Sequence, residues 1–312
     1  MPSFSRRGLL AAGLSWPVLS VRAAETKTLR VGFQKGEPVF MAAKANRDLE
    51  TLLGPKGISV EWIEFQFGPP MLEAMRVGSI DVGAVGDTPP VFAQAAHADL
   101  LYIAANSGAP QSVLLPAGSK IQTLADLKGK KLAFGRGSSA HNFALLVLEK
   151  AGLSYDQIEP VYLGPADAGA AFERGAIDAW SIWEPYTSLF VTRPGVRTLT
   201  TNKEIGSQYG YIMASGPFVR ANPALTETVL QALTATAAKA RADHESIAVL
   251  LAGSTGIPQP VWSRALASDP FDIQPMNDDL ARSQQAVADR FRALGLVPVD
   301  IKVSSIVWRA SA

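Results

Sequence analysis

Two turns in the sequence contain the hydroxyl and amide groups that bind anions. The first follows a short apolar segment, residues 80–85, and places Asp87 and Thr88 directly before the paired Pro89 and Pro90. Proline is favoured in the first turn of a helix, because the amide that it lacks would have no partner there. The free amides of a helix N terminus attract anions, and Asp or Thr side chains can cap them. The turn indicates an anion site, with an ordinary capped helix as the alternative.

The second turn, at Gly137, Ser138 and Ser139, also leads from an apolar segment into a predicted helix, which begins near residue 140. His141 and Asn142 follow in its first turn. Both turns lie where a strand of a parallel α/β sheet would end, and such sheets bind ligands on that side. Backbone amides and neutral hydroxyl groups at this place suit a small anion.

Two tryptophans on one predicted strand offer apolar faces for the organic part of a ligand. Trp180 and Trp183 lie three residues apart, and Glu184 follows directly. On a regular strand they point to opposite faces, so at most one lines a cleft unless the strand ends between them. Packing in the core is the alternative for each. The candidate ligand-binding residues are Gln34, Asp87, Thr88, Ser107, Gly137, Ser138, Ser139, His141, Asn142, Trp180, Trp183 and Glu184.

No pattern in the sequence indicates catalysis or metal binding. The chain contains three histidines and no cysteine, which excludes a thiolate metal site, a disulfide scaffold and a cysteine nucleophile. No H-E-x-x-H, G-x-S-x-G or P-loop pattern occurs. One turn into a helix, His141 is more typically a packed residue than a catalytic one. We therefore expect a protein that is not an enzyme and uses neither a metal nor another cofactor.

Residues 1–23 have the pattern of an export signal. Arg6 and Arg7 precede an apolar run, and Val21 and Ala23 fit a small-residue cleavage site. The paired arginines resemble a twin-arginine signal, and a general secretory signal is the alternative. Cleavage after Ala23 removes three of the 29 basic residues and none of the 28 acidic ones. The exported chain is then slightly acidic, which argues against nucleic acid as a partner.

The rest of the chain is predicted to form two α/β units in tandem. Strand-like and helix-like segments alternate over residues 29–105 and again over residues 131–199. The sequence GSID at residues 78–81 matches GAID at residues 175–178, 97 positions later. The C-terminal part is mostly helical and has no sheet of its own, so it must pack on the first unit.

This order predicts a two-lobed α/β fold with a ligand cleft between the lobes. Each lobe is a doubly wound, mostly parallel sheet with helices on both faces. We expect lobe I to comprise residues 24–110 and 211–312, and lobe II residues 111–210. The crossings near residues 108–113 and 207–211 would form a hinge.

Seven segments carry a family resemblance: VGFQKG (31–36), VEWI (60–63), GSID (78–81), GDTPPVFAQAA (86–96), GSSAHN (137–142), PADA (165–168) and DAWSIWEPY (178–186). Together they resemble the aliphatic sulfonate-binding proteins of ABC importers, to which the taurine- and nitrate-binding proteins are related. The resemblance covers nearly the whole exported chain. One departure is Arg136, which precedes Gly137 where relatives carry Lys or another residue, and its role stays open.

The resemblance implies a periplasmic binding protein of two-lobed fold that closes on an alkanesulfonate. It would deliver this ligand to a membrane permease with an ATPase, and we expect it to be monomeric. Thr88 and the turn at Ser138 and Ser139 would contact the sulfonate. Asp87 would hold its turn rather than the ligand, because a sulfonate has no proton to donate to a carboxylate.

Three alternatives to an alkanesulfonate ligand stay open within this fold: taurine, nitrate or a sulfate ester. Taurine carries an ammonium group, for which Glu184 would be the acidic partner. An enzyme acting on an organosulfur compound is the remaining alternative. Desulfinases that resemble the family use a cysteine nucleophile, and this chain has no cysteine.

Overall fold

The structure of the protein is a computed structural model that describes residues 28–206, 208–267 and 269–309. The predicted export signal lies outside these residues. Among the helices so described, none is both long and apolar enough to cross a membrane. Two separate five-stranded sheets organise the chain.

The strands and helices are numbered along the chain. The strands are β1 (Thr28–Phe33), β2 (Ser59–Glu64), β3 (Val82–Gly86), β4 (Leu100–Ser107), β5 (Gln111–Leu115), β6 (Lys131–Phe134), β7 (Glu159–Tyr162), β8 (Ala179–Trp183), β9 (Arg197–Thr201) and β10 (Tyr209–Ser215). The helices are α1 (Pro38–Ala45), α2 (Asp48–Leu53), α3 (Gly68–Arg76), α4 (Thr88–Ala95), α5 (Ser139–Ala151), α6 (Pro165–Glu173), α7 (Tyr186–Phe190), α8 (Asn202–Ile205), α9 (Gly216–Ala221), α10 (Pro223–Ala242), α11 (His244–Thr255), α12 (Gln259–Leu266) and α13 (Asp278–Ala293). Short 3-10 helices lie at Gly54–Lys56, Leu124–Leu127, Tyr155–Gln157 and Val303–Ile306.

The first sheet has the strand order β2, β1, β3, β10, β4 and is covered on both faces. β1 runs parallel to β2 and β3, whereas β10 is antiparallel to both of its neighbours. Along β10, Ile212 and Ala214 pack into a core with α1 and α10 to α12, and Tyr211 and Met213 pack into another with α3 and α13. This alternation is what a strand with both faces buried requires. We call this sheet with its helices lobe I.

The second sheet, lobe II with its helices, repeats this topology with the order β7, β6, β8, β5, β9. β5 is antiparallel to β8 and β9, as β10 is to its neighbours in lobe I. β5 directly follows the first crossing and lies between β8 and β9 in lobe II. β10 directly follows the second crossing and lies between β3 and β4 in lobe I. The core of lobe II contains Phe134, Phe143 and Trp180, all fully buried. The predicted two-lobed α/β fold with mostly parallel sheets is confirmed.

The repeated Gly-x-Ile-Asp sequence has the same structural role in both lobes. Gly78 and Gly175 have φ values of +78° and +65°, so each ends a helix in the left-handed region. The carboxylate of Asp81 then accepts the amide of Arg30 at 2.8 Å, and that of Asp178 accepts the amide of Lys131 at 2.8 Å. The motif thus fastens the strand after each helix to a neighbouring parallel strand, β3 to β1 in lobe I and β8 to β6 in lobe II.

Three predicted elements differ in the structure. The segment predicted as a crossing at residues 108–113 includes the first residues of β5, which pair with β8 and β9. The apolar periodicity after Pro38 predicts one helix to about Leu53, but the structure has two helices, divided at Arg47, which adopts a left-handed φ of 56°. The pattern after Pro223 predicts one long helix to about Leu251, but the structure divides it at Asp243, whose side chain accepts the amide of Ser246 at 3.0 Å and so starts a new helix.

The two crossings between the lobes lie side by side. The amide of Gly108, just after β4, donates to the carbonyl of Gln208, just before β10, at 2.9 Å. A Cβ on Gly108 would lie 2.9 Å from that carbonyl oxygen, so the close approach requires glycine. The boundaries of the lobes at residues 110 and 211 stay a prediction.

Candidate ligand-binding cleft

A cleft lies between the two lobes, where α1, α3, α4 and α5 begin. The space between its lining residues totals about 440 Å³ when open solvent is counted, but only about 20 Å³ of it admits the centre of a water molecule. A helix N terminus favours an anionic ligand through amides that have no partner within the helix. The start of α5 offers such amides without proline, whereas α1, α3 and α4 each carry proline in the first turn. Lobe I contributes Gln34, Gly36, Glu37, Gly68, Gly86 and Pro89, lobe II contributes Ser138, Ser139 and Trp183, and Gly108, Ala109, Gln111, Tyr209 and Gly210 line the cleft near the crossings.

The lobes touch across this cleft, so the structure shows a closed arrangement. A Cβ built on Gly86 of lobe I would lie 2.5 Å from the Cβ of Ser139 of lobe II. A Cβ on Gly36 would lie 2.7 Å from the indole ring of Trp183. Both distances are shorter than any contact a real Cβ makes, so closure depends on glycine at both positions. The need for glycine at Gly36 and Gly86 could not be predicted from the sequence, because the atoms that exclude a side chain there belong to the opposite lobe.

The start of α5 presents a free hydroxyl group to the cleft. The Ser138 hydroxyl donates to the carbonyl of Gly135 at 2.7 Å and is therefore engaged within its own turn. Ser139 is the first residue of α5, and its hydroxyl has no hydrogen-bond partner among the described residues. Gly137 provides the turn with a φ of +71°. Ser139 and the first amides of α5 are thus available to a ligand.

Asp87 lies beneath the cleft wall and joins the two lobes. Its buried carboxylate accepts hydrogen bonds from the Thr88 hydroxyl at 2.8 Å, the Asn142 amide at 2.6 Å and the Gln208 amide at 2.8 Å. These donors belong to lobe I, to α5 of lobe II and to the second crossing. We call these four residues the interlobe cluster. The expectation that Asp87 or Thr88 caps α4 is wrong, because Asp87 holds the N-cap position without a capping hydrogen bond.

Helix α13 supports the interlobe cluster from behind. The Gln284 amide donates to the backbone carbonyl of Asp87 at 2.6 Å, and Arg290 donates to the side-chain carbonyl of Asn142 at 3.0 Å. Burial raises the pKa of Asp87 to about 6, against the opposing effects of its three hydrogen bonds and of Arg290. The interlobe cluster is a buried hydrogen-bond network that connects the lobes, and it does not line the cleft.

His141 is likewise part of the protein core. Its ring stacks on Phe134 with centroids 4.6 Å apart, and its Nδ1 accepts the amide of Gly137 at 3.3 Å. Burial, with a smaller effect of Arg136, lowers the pKa of His141 to about 3, so its ring is neutral near pH 7. Arg136 itself lies over the ring of Tyr162 at 5.6 Å, which gives this residue a cation–π contact.

The two tryptophans of β8 separate as strand alternation requires. Trp180 is fully buried in the core of lobe II, where it packs edge-on against Phe190 at 4.9 Å. Trp183, at the carboxyl end of the strand, lines the cleft opposite Gly36. Trp183 therefore offers an apolar wall to the cleft and Trp180 does not.

Glu184 and Ser107 are engaged with their own lobes. The Glu184 carboxylate accepts the Ser188 amide at 2.9 Å and the Ser188 hydroxyl at 3.0 Å, and so stabilises the start of α7. Ser107 donates from its amide and its hydroxyl to Asp272, at 2.8 and 3.0 Å. Of the candidate residues, only Gln34, Ser138, Ser139 and Trp183 are among those that line the cleft.

Glu37 and Gln111 line the cleft but were not selected from the sequence. Glu37 follows β1, at the same edge of the sheet at which Asp87 follows β3, and the rule that ligands bind at the carboxyl ends of strands would have selected it. Gln111 is 2% exposed, and its amide donates to the side chain of Gln208 at 2.6 Å. In the part of the chain that the structure describes, no group of His, Cys, Asp and Glu is arranged to hold a metal ion.

Two α/β lobes that are joined by two crossings and close over a cleft define a solute-binding protein. The model of the NMT1-like family matches residues 22–252. An aliphatic sulfonates-binding protein of Escherichia coli (strain K12) is 41% identical over 304 residues, which is 96% of this chain and 95% of that protein. The chain therefore belongs to the NMT1-like family and, within it, to the aliphatic sulfonate-binding proteins.

Solved structures agree with this assignment. The alkanesulfonate-binding protein SsuA from Xanthomonas axonopodis pv. citri, bound to MOPS, superposes with a TM-score of 0.88 at 41% identity, over 92% of this chain and 100% of that one. The periplasmic aliphatic sulphonate binding protein SsuA from Escherichia coli gives 0.82 at 40% identity, over 91% and 93%. These relatives are binding proteins and not enzymes.

Proposed function

We propose that this protein is the substrate-binding component of an ABC importer, which captures alkanesulfonates in the periplasm and delivers them to a membrane permease. The relatives that bind sulfonates support this proposal. The observation that carries it is the free Ser139 hydroxyl at the N terminus of α5, which faces α4 across the cleft. A sulfonate is a permanent anion that accepts hydrogen bonds, so neutral donors at a helix N terminus meet its requirements.

We place the sulfonate between the first turns of α4 and α5. Its oxygens would accept hydrogen bonds from the Ser139 hydroxyl and from the first amides of α5, with Gln34 at the side. Asp87 and Thr88 then act indirectly, because the Thr88 hydroxyl is already donated to Asp87. A ligand that contacts both lobes stabilises the closed state relative to the open one, which is how binding is coupled to delivery.

A panel of ligands tests this function against its alternatives. In a buffer free of sulfonic acids, thermal unfolding is followed with methanesulfonate, butane-1-sulfonate, taurine, nitrate, sulfate and a sulfate ester. We expect alkanesulfonates to raise the melting temperature most, because a ligand that binds only the folded protein stabilises it by mass action. A larger shift with taurine, nitrate, sulfate or the sulfate ester would contradict the proposal and assign that ligand instead.

Trp183 is expected to set the preference for tail length. Each methylene group buried against its ring contributes about 0.8 kcal/mol, or roughly fourfold in affinity. Calorimetry of the wild type should show affinity rising along the series from methanesulfonate to butane-1-sulfonate. The substitution Trp183→Ala should flatten this rise.

Trp308→Ala is the matched control for Trp183→Ala, because Trp308 is a partly buried tryptophan of lobe I that does not line the cleft. It should leave the dependence on tail length unchanged. An unchanged dependence in Trp183→Ala as well would exclude Trp183 as the wall for the tail.

A further inference from the structure

Phe67 is a residue of lobe I whose ring packs against the core of lobe II. It lies in the loop between β2 and α3 and is half-buried there. Phe67 occupies the N-cap position of α3, where it makes no capping hydrogen bond. Helices favour Ser, Thr, Asp or Asn at this position, because their side chains accept an amide of the first turn. A phenylalanine therefore does not stabilise α3, and its contact with the opposite lobe is the feature that accounts for it.

Two turns of lobe II form a notch for this ring, and each turn has a glycine where the loop of lobe I approaches. A Cβ on Gly135, just after β6, would lie 3.3 Å from Cδ2 and Cε2 of Phe67. A Cβ on Gly164, just before α6, would lie 3.7 Å from Cε1 of Phe67 and 3.1 Å from Oε1 of Gln66. Neither glycine adopts a left-handed φ, so the backbone itself does not require glycine there. Glycine at these two positions leaves room for the loop of lobe I.

The start of α3 fixes Phe67 to lobe I. A Cβ on Gly68, the first residue of α3, would lie 2.5 Å from Cγ of Pro89 and 3.1 Å from Cγ1 of Val85. The first turn of α3 is thus packed closely against β3 and α4. Gly68 lines the cleft and Phe67 does not. The ring of Phe67 therefore lies beside the cleft, attached to lobe I and packed in lobe II.

A second phenylalanine of lobe I contacts the other end of the same turn of lobe II. A Cβ on Gly137 would lie 3.3 Å from Cδ2 of Phe92. Phe67 and Phe92 thus contact the turn at residues 135–137 at both of its ends. This turn leads to Ser139 and the free amides of α5. In the closed protein, the two rings therefore fix the position of the groups that we assign to the sulfonate.

The two rings differ in what they lose when the lobes separate. Phe92 packs edge-on against Phe291 at 5.4 Å and against a core of lobe I, so part of its burial remains in the open protein. Phe67 packs against the core of lobe II and would expose its ring. We propose that Phe67 is the gate residue of the cleft: its ring enters the notch when the lobes close and slows the release of a ligand that it does not touch. This inference rests on the proposed function and adds the residue that controls release.

The rates of ligand binding and release test this role. Stopped-flow fluorescence of the full exported chain follows both rates, since Trp183 lines the cleft. In Phe67→Ala, butane-1-sulfonate should dissociate about tenfold faster, because the closed state loses a buried ring, and should associate at an unchanged rate. Methanesulfonate should show the same factor, since Phe67 contacts the opposite lobe and not the tail. Phe67→Leu, which keeps an apolar side chain in the notch, should restore most of the slow release.

Phe65→Ala is the matched control, because Phe65 is a partly buried phenylalanine of the same loop that packs against a core of lobe I. It should leave both rates unchanged. An unchanged rate of release in Phe67→Ala, or equally fast release in Phe65→Ala, would overturn the gate. A change in Phe67→Ala that is confined to butane-1-sulfonate would overturn it as well, because Phe67 would then contact the tail.

The distance between the lobes separates this inference from the proposed function. The chain has no cysteine, so spin labels can be attached at Glu73→Cys and Ala170→Cys alone. Both residues are exposed and lie on α3 and α6, which begin directly after Phe67 and Gly164. Without ligand, Phe67→Ala should reduce the fraction of short distances and Phe65→Ala should not.

The outcomes of the two experiments are distinct. Tight binding of butane-1-sulfonate to the wild type, with release and label distances unchanged in Phe67→Ala, would overturn the inference and leave the function intact. If no sulfonate bound while Phe67→Ala still reduced the fraction of short distances, the proposed function would be wrong and the contact between the lobes would stand.

Discussion

Replacing Gly86 by alanine should weaken the binding of butane-1-sulfonate by about 10- to 100-fold, because the added methyl group overpacks the closed state and not the open one. The added Cβ would lie 2.5 Å from the Cβ of Ser139, and the three nearest atoms all belong to that residue of the opposite lobe. Gly86 does not adopt a left-handed φ, so alanine fits the open protein without backbone strain. Calorimetric titration measures the affinity, and thermal unfolding without ligand should stay close to that of the wild type.

A double-mutant cycle is the control for Gly86→Ala. Ser139→Gly removes the two atoms that the new Cβ meets, and the nearest remaining one, the Cα of residue 139, lies at 3.6 Å. Ser139→Gly alone should weaken binding by the loss of one hydroxyl donor, about 1 to 3 kcal/mol. The double variant Gly86→Ala/Ser139→Gly should bind butane-1-sulfonate no more weakly than Ser139→Gly alone. The two substitutions would then be strongly coupled, because the cost of Gly86→Ala disappears once the Ser139 side chain is removed. Additive effects, or wild-type affinity in Gly86→Ala, would contradict the closed arrangement.

Replacing Asp87 by alanine should both destabilise the protein and weaken ligand binding, although Asp87 does not line the cleft. The substitution leaves the amides of Asn142 and Gln208 and the hydroxyl of Thr88 without their shared acceptor. Removing one member of such a buried network costs about 2 to 4 kcal/mol. Because Asn142 belongs to lobe II, part of this cost falls on the closed state and appears as a higher dissociation constant. Urea unfolding measures the loss of stability, and calorimetry measures the rise in the dissociation constant.

Asp178→Ala is the matched control for Asp87→Ala. Asp178 is also a carboxylate that accepts a hydrogen bond between elements, from the amide of Lys131, but both residues belong to lobe II. The variant should be less stable than the wild type and bind butane-1-sulfonate with unchanged affinity. If Asp87→Ala behaved in the same way, Asp87 would stabilise the fold without contributing to closure.

The fold could be predicted from the sequence because its signals are local. Alternating strand and helix patterns and the repeated Gly-x-Ile-Asp depend on residues a few positions apart. The insertion of β5 into the second sheet could not be predicted in this way. Its partners β8 and β9 lie far along the chain, and an apolar segment next to a predicted crossing carries no signal for pairing.

The sequence predicted which turns form the site, but not which of their side chains face the ligand. The turns at Thr88 and Ser139 do lie at the interface of the lobes, but the spacing of residues does not give the direction of a side chain. Thr88 turns towards Asp87, whose donor Gln208 lies 121 residues away in the sequence. The support from Gln284 is 197 residues away from Asp87. Such long-range partners decide which side chains face the ligand, and a single sequence does not contain them.

The central claim is that an alkanesulfonate binds between the lobes and holds them closed. Isothermal titration of the purified protein with butane-1-sulfonate, in a buffer without sulfonic acids, tests it most directly. We predict saturable binding of one ligand per chain, with competition by methanesulfonate and none by nitrate or sulfate. Absence of saturation at millimolar ligand, or displacement of butane-1-sulfonate by nitrate, would contradict it.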